Sequence, residues 1–193
     1  MHVQNLFNTL NSIKPLTIPL KAYLSNNLIF EEFSKGELLP YNQPSSSRIM
    51  YFIAYGLVCG TKLSNNKKAV LWYSQDGNFI VPELAESKEK FIGRLEFQTP
   101  TLLIGFEFPI ILEEMKLYEE ARYIFLGIIH QNNRESHERE IFLRLSAENR
   151  VKSLMQSIPM IFFKSKTDYM ASYINISVAH YHKIKKADLK VKK

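Results

Sequence analysis

The segment TDYMASYINISVAHYHKIKK, residues 167–186, decides the fold of the C-terminal part of the chain, because it meets the geometric demands of a helix-turn-helix. Two steeply crossing helices need a small residue where they touch, and Ala171 stands at that point of the first helix. The turn needs a residue that tolerates a positive φ, and Asn175 is of that kind. Ile176 then fills the core, and Ser177 is a favoured N-cap. The segment therefore predicts a helical pair joined by a tight turn.

The second predicted helix has one apolar and one exposed face. Tyr181 and Ile184 supply the face that packs on the first helix. The positions predicted to enter a DNA major groove, where lysines can meet phosphates or a guanine edge, are Ser177, Val178, Ala179, His182, Lys183 and Lys186. An ordinary helical hairpin with a basic tail is the alternative, since this spacing alone is a weak signal.

The charge distribution favours the DNA-binding interpretation. Residues 146–193 contain ten Lys and Arg against three Asp and Glu, whereas residues 1–145 contain fifteen against sixteen. Basic charge concentrated in one small segment is the electrostatic footprint of a polyanion-binding module. A solvated lysine tail explains only part of this basic charge, because residues 146–193 keep an excess of basic over acidic residues when the last three lysines are left out.

The first half of the chain has a different pattern. Two short helices are predicted near residues 3–10 and 20–26. Short β-branched and aromatic runs follow, separated by turn-forming residues, at 28–33, 49–63, 69–73, 79–81, 91–97 and 101–106. Many short strands at regular spacing predict a sandwich, a barrel or a roll.

A long helix is predicted to connect the two parts. Pro109 suits a first helical turn, and residues 110–145 contain no proline and carry apolar residues at a spacing of three and four. Its middle, residues 131–140, is wholly polar, which favours a helix that leaves its domain to meet a partner over one packed on its own sheet. The predicted domains are thus 1–109, 110–145 and 146–193. Ser146 is predicted to cap a further helix that ends near Pro159, followed by a strand or turn at 161–163.

From about residue 20 to residue 186, the chain resembles the Crp/Fnr family of transcription regulators. RIMYFIAYGLVCGTKL (48–63) resembles the strand–turn–strand segment of the family before its ligand site, and KKAVLWYSQDGNFI (67–80) is similar to the hairpin that follows. RLSAENRVKSLMQSIP (144–159) resembles the helix that leads into the DNA-binding module. YMASYINIS (169–177) is similar to the family pattern Tyr-Ile-Ala-Ser-Tyr-Leu-Gly-Ile-Thr. Four matches in order are far more specific than any one of them.

The resemblance implies an α+β fold. An N-terminal antiparallel β-roll, a jelly-roll of the cyclic-nucleotide-binding type, would lead through a long dimerisation helix to a small helical helix-turn-helix domain. It also implies a homodimer that reads two half-sites of double-stranded DNA. A small-molecule effector would bind in a pocket of the roll that includes Gly77, Phe79, Glu83, Leu84 and Arg94.

Departures from the family pattern predict that this chain does not bind cyclic AMP in the usual way, and no cofactor is expected. Residues 81–84 read Val-Pro-Glu-Leu instead of a clean Gly-Glu-Leu turn, and Phe91 and Ile92 stand where an Arg-Ser pair would neutralise the cyclic phosphate. A buried phosphate without an arginine is poorly compensated. Nearby side chains that still offer an anion a positive charge are Lys88, Lys90 and Arg94.

Two other functions remain open on the sequence. A cupin-type metal enzyme needs histidines on its strands, but the five histidines all lie outside the predicted β region. A sensor or adaptor without specific DNA binding is permitted, because Val178, Ala179 and Lys183 stand where relatives often carry arginine or glutamate. The lone Cys59 and the absence of a signal-peptide pattern or a long apolar stretch predict a cytoplasmic protein that does not enter a membrane.

Overall fold

The fold is given by a computed structural model that describes residues 1–40, 49–64, 67–81 and 93–191. Its strands are β1 (Ile29–Phe33), β2 (Leu38–Pro40), β3 (Ile49–Tyr55), β4 (Leu57–Ser64), β5 (Lys67–Gln75), β6 (Phe79–Ile80), β7 (Gly93–Phe97) and β8 (Thr101–Glu107). Its helices are α1 (His2–Ile13), α2 (Ile18–Asn26), α3 (Phe108–Leu117), α4 (Glu119–Leu143), α5 (Ala147–Ser157), α6 (Met160–Lys164), α7 (Thr167–Tyr173) and α8 (Val178–Val191). No helix within these ranges has both the length and the apolar character needed to cross a membrane.

The strands form a roll of two antiparallel sheets, with strand orders β1-β8-β3-β6 and β2-β7-β4-β5. Because successive strand residues point to opposite faces, Tyr51 and Ile53 lie between the sheets and their neighbours Met50 and Phe52 lie outside. The predicted α+β class with an N-terminal β-roll is confirmed.

The apolar run over residues 49–63, where the resemblance implies strand, turn and strand, forms two strands that belong to different sheets. Gly56 separates them with φ 119°, and a Cβ there would lie 2.3 Å from Thr101 Oγ1. Only glycine suits this crossing between the sheets. β2 was not predicted, because three residues ending in Pro40 lack an alternating pattern; this edge strand pairs only with β7 in the described chain.

The outward face of the first sheet is covered by helices. Leu6 and Leu10 of α1 and Ile124 of α4 pack with Ile104 and Phe106 of β8. Each of these side chains is almost fully buried, and this layer is the largest of the three clusters that make up the described hydrophobic core. The two predicted N-terminal helices are confirmed.

The prediction of one continuous helix over residues 110–145 is wrong in one respect, because this segment forms two helices, α3 and α4. The N–H of Tyr118 closes α3 on the carbonyl oxygen of Glu114, and Tyr118 is then extended (φ −128°, ψ 119°) before α4 begins. The ring of Tyr118 lies against Tyr23 of α2, with centroids 5.8 Å apart. The polar stretch 131–140 is helical, as predicted. The domain boundaries at 109 and 145 stay predictions.

The C-terminal helices begin where the sequence places them. The Oγ of Ser146 accepts a hydrogen bond from the N–H of Asn149 at the start of α5. The predicted strand or turn over residues 161–163 is instead α6. Ile161 is completely buried there, so tertiary packing selected a helical turn for an apolar run whose length does not distinguish strand from helix.

Candidate nucleic-acid interface

The turn between α7 and α8 has the conformation that the sequence predicts. Asn175 is the only residue other than glycine with a positive φ in the described chain, at 54°. The N–H of Ile176 donates to the carbonyl oxygen of Ala171 (3.0 Å), and the N–H of Asn175 donates to that of Ser172 (3.0 Å). These bonds satisfy the carbonyl groups left free at the end of α7.

The two helices share a small core. Ala171 and Tyr181 are each 1% exposed, and the hydroxyl of Tyr181 contacts Met170 Sδ at 3.8 Å. Ile184 is buried on the same face of α8. Ser177 is the N-cap of α8, because its Oγ accepts from the N–H of His180 at 3.1 Å. The predicted helix-turn-helix is therefore present in both its turn and its core.

The opposite face of α8 is open to solvent. All six positions predicted to contact DNA are exposed: Ser177, Val178, Ala179, His182, Lys183 and Lys186. His180 and Lys185 are exposed beside them. The exposed face of α8 thus carries the positive charges of Lys183, Lys185 and Lys186, which attract a polyanion, while the carboxylate of Glu148 lies near His180 at its start. Contact with DNA at these residues stays a prediction.

The helix-turn-helix is docked on the outward face of the second sheet. The Nζ of Lys68 on β5 lies 2.7 Å from Glu96 Oε2 on β7, and it also donates to the hydroxyl of Tyr169 on α7. That hydroxyl donates in turn to the Glu96 carboxylate at 2.8 Å. Burial alone would lower the pKa of Lys68, but its hydrogen bonds to Glu96 and Tyr169 outweigh this and raise it. The buried carboxylate is therefore compensated on both sides.

A second set of contacts closes the edge of the same sheet. The N–H of Val70 on the edge strand β5 donates to Ser172 Oγ at 3.0 Å, so α7 satisfies a backbone group that an exposed edge would leave open. Nearby, the hydroxyls of Tyr73 and Ser165 are 2.6 Å apart, and the Ser165 hydroxyl donates to Gln98 Oε1 at 3.2 Å.

Cys59 lies within this docking surface. It is completely buried, and its Sγ accepts from Gln98 Nε2 at 3.3 Å. Burial, with a smaller contribution from the charge of Glu96, raises the pKa of the Cys59 thiol to about 12. The thiol thus stays protonated at neutral pH and acts as a small apolar core group.

Sequence reasoning missed this docking. The residues that form it lie far apart in the chain, and each belongs to a different predicted element. The only available signal was Glu96, a charged residue between the apolar Leu95 and Phe97. Such a residue needs a buried partner, but the sequence does not say which one.

Of the five residues predicted for an effector pocket, Gly77, Phe79 and Arg94 are described, and these three are not gathered in the interior of the roll; the pocket itself stays a prediction. Gly77 (φ 86°) forms the turn between β5 and β6, and Phe79 packs outward against Phe52, with ring centroids 5.2 Å apart. Arg94 is exposed on β7, opposite in direction to the inward Leu95. The other predicted positions in this region, Glu83, Leu84, Lys88, Lys90, Phe91 and Ile92, lie outside the described residues.

No protein-family model matches the chain, and no curated protein sequence matches it. Solved structures do match. A protein assigned to the Crp/Fnr family of transcriptional regulators from Eubacterium rectale superposes with a TM-score of 0.70 at 14% identity, covering 92% of this chain and 85% of that chain. FixK2 from Bradyrhizobium japonicum gives 0.67 at 13% identity, covering 86% and 85%. CLP, the c-di-GMP responsive global regulator of Xanthomonas campestris, gives 0.65 at 14%, covering 91% and 93%.

These similarities extend over both the roll and the C-terminal helices, since each covers most of this chain. The fold predicted from the resemblance, that of Crp/Fnr regulators and cyclic nucleotide-binding domain proteins, is confirmed. Fold alone does not assign a function, which has to be argued from the site.

Proposed function

We propose that this chain is a DNA-binding transcription regulator of the Crp/Fnr type, in which the β-roll senses an effector and α4 relays its presence to the helix-turn-helix. The observation that carries the proposal is the exposed, basic face of α8 behind a well-formed helix-turn-helix turn. A second helix held this way is the element that enters a major groove in proteins of this architecture.

Electrostatics supports double-stranded DNA as the partner. Lys183 and Lys186 are one helical turn apart on the exposed face, so both can approach the phosphates that flank a groove. The excess of basic residues over residues 146–193 adds long-range attraction. Phosphate contacts of this kind supply affinity, and base contacts supply specificity.

A second copy of the chain is the partner proposed for α4. Its buried face carries Ile124 and Ile128, whereas Tyr123, Leu126 and Ile141 are between 50% and 60% exposed on the opposite side of the helix. Large apolar side chains that follow one exposed helix face favour pairing with another helix. A two-fold pair would present two α8 helices to successive turns of a near-palindromic duplex.

A sensor or adaptor without specific DNA binding is the second candidate. The small apolar side chains of Val178 and Ala179 occupy the start of the recognition face, where hydrogen bonds to base edges would normally originate. Lysine is a point charge that does not reproduce the bidentate guanine contact of arginine. On this reading the basic face would give only sequence-independent attraction.

The DNA-binding regulator and the adaptor can be distinguished by selecting duplexes from a random library and then titrating binding at several salt concentrations. We expect enrichment of a two-fold symmetric site. The double variant Lys183→Ala/Lys186→Ala should bind it at least about tenfold more weakly, with a shallower dependence on salt, because phosphate contacts are lost. The control Lys35→Ala/Lys116→Ala removes the same charge from exposed positions distant in the chain and should bind as the parent does. Weak, sequence-independent binding that the two double variants share would favour the adaptor.

A further inference from the structure

The first turn of α8 holds the side chains that would face base edges. When the second helix of a helix-turn-helix enters a major groove, its N-terminal residues contact the bases. In this chain α8 begins at Val178, directly after the N-cap Ser177. The Ser177 Oγ accepts the N–H of His180 at 3.1 Å, so this hydroxyl is engaged in capping the helix. Val178 and Ala179 are therefore the first side chains of α8 that a base pair would meet.

These two side chains lie on the open side of the helix. Val178 is 40% exposed and Ala179 is exposed, whereas Tyr181 and Ile184 are buried against α7. Ala179 stands two positions before Tyr181, which places it about half a turn away from the buried face. Exposed apolar side chains are common on protein surfaces, so their position at the start of the second helix is what gives these two a meaning.

Neither side chain can read a base by hydrogen bonding, because neither has a donor or an acceptor. The major-groove edge of thymine carries a C5 methyl group, and apolar side chains recognise thymine by contact with it. The amino group of cytosine and the acceptors of guanine would instead meet side chains that offer them no partner, which is unfavourable once water is excluded. The chemistry of the first turn thus favours thymine and disfavours a G·C pair.

The next turn of α8 supplies the polar contacts. His182 and Lys183 follow Val178 and Ala179 at a spacing of four residues, so they continue the same side of the helix, and both are exposed. Their nitrogens can donate to purine N7, to guanine O6 or to phosphates. Many DNA sites offer such acceptors, and the methyl contact of the first turn is therefore the more selective part of this surface.

We propose that Val178 and Ala179 are specificity-determining residues that read the C5 methyl groups of thymines in each DNA half-site. This readout deepens the proposed function and rests on it, because it requires α8 in a major groove. It also gives the two apolar residues a role in a regulator with specific DNA binding, although they lack the hydrogen bonds of a polar recognition helix.

The test starts from the duplex that the full chain selects from the random library. Each thymine of the half-sites is replaced in turn by uracil, which keeps the Watson–Crick pair and removes only the methyl group. We expect uracil at one or more positions to weaken binding about threefold to fivefold per half-site, as for the loss of one buried methyl group. Replacement in both half-sites should weaken it by about tenfold or more, and uracil in the flanking DNA should have no effect.

Cytosine and 5-methylcytosine provide a matched pair at the same positions. They differ only in the C5 methyl group, and both pair with guanine. The methylated duplex should bind about threefold to fivefold more tightly than the unmethylated one, because its methyl group occupies the same place in the groove as that of thymine.

Two variants assign the contact to the protein. Val178→Ala and Ala179→Gly each remove apolar surface from the first turn, and at least one of them should reduce the uracil penalty to less than about twofold. Ile18→Ala is the control, since it shortens a side chain that is 86% exposed on α2, and it should show the penalty of the parent. The uracil series uses the parent chain, so it tests the readout even if a variant does not fold.

The proposal is overturned if the selected half-site contains no thymine, or if uracil at every half-site thymine changes the affinity by less than about twofold. It is also overturned if neither variant lowers the uracil penalty. Each of these results on a selected site leaves the regulator standing and removes only the methyl readout. Failure to select any site refutes the regulator, and the readout with it.

Discussion

Glu114 provides a quantitative test of the packing between the N-terminal helices and α3–α4. It is 5% exposed and borders a cavity of about 30 Å³ whose other walls include Leu24, Met50 and Phe106. Its Oε1 has no hydrogen-bond partner among the described residues. Burial raises the pKa of Glu114 from 4.5 to about 7, because the charged form loses its hydration without a compensating cation.

The sign and size of the effect follow from this pKa. A carboxyl whose pKa is higher in the folded state stabilises the fold fully below its unfolded pKa of 4.5, and that stabilisation is lost as the pH rises through about 7. The difference between the two pKa values corresponds to roughly 3 kcal/mol of unfolding free energy. Glu114→Gln removes the ionisation, so the variant should be more stable than the parent by up to about that amount near pH 8 and similar to it near pH 4.5.

Unfolding with guanidinium at about pH 5 and about pH 8 measures the change in the free energy of unfolding, provided that the dependence of this free energy on denaturant concentration is the same in the variant and the parent. Glu32→Gln is the matched control, since it removes a carboxylate from an exposed strand position, and it should follow the parent at both pH values. If Glu114→Gln and the parent lose the same free energy between these pH values, the carboxyl is not buried in an apolar cavity and the reasoning is wrong.

Two further predictions concern the helix-turn-helix and its docking. Tyr169→Phe removes the hydroxyl that donates to Glu96, and it should lower the free energy of unfolding by about 1.5–3 kcal/mol in urea titrations. Tyr23→Phe is the control, because the Tyr23 hydroxyl donates to a carboxylate on the exposed surface, and it should change the free energy of unfolding by less than about 0.5 kcal/mol. Equal losses in the two variants would contradict a buried network. Asn175→Gly should keep or slightly raise the melting temperature, whereas Asn175→Val should destabilise by about 1–2 kcal/mol, because a β-branched residue resists positive φ. Equal melting temperatures for these two variants would show that the turn does not require a positive φ.

The sequence by itself determined the elements whose rules are local. Ala171, Asn175 and Ser177 identified the helix-turn-helix because close helix contact, positive φ and N-capping each restrict residue type within a few positions. The roll was identifiable from short alternating runs, and the resemblance placed a turn within residues 48–63, but the sequence did not show that the chain changes sheets at Gly56. Glycine marks many kinds of turn, and only the close approach of Thr101 shows which kind this one is.

The tertiary structure alone decided how the parts meet. Glu96, Lys68 and Tyr169 form one network although they are 28, 73 and 101 residues apart in pairs, and no local pattern relates positions so distant. The break at Tyr118 and the helical turn of α6 depend likewise on what packs against them. A cleft beside Arg139 exists because the open edge of the roll, α4 and the DNA-binding module enclose it together. Periodicity and capping act over a few residues. Burial depends instead on neighbours that only the folded chain brings together, and burial decides which charges are paired and which are left without a partner.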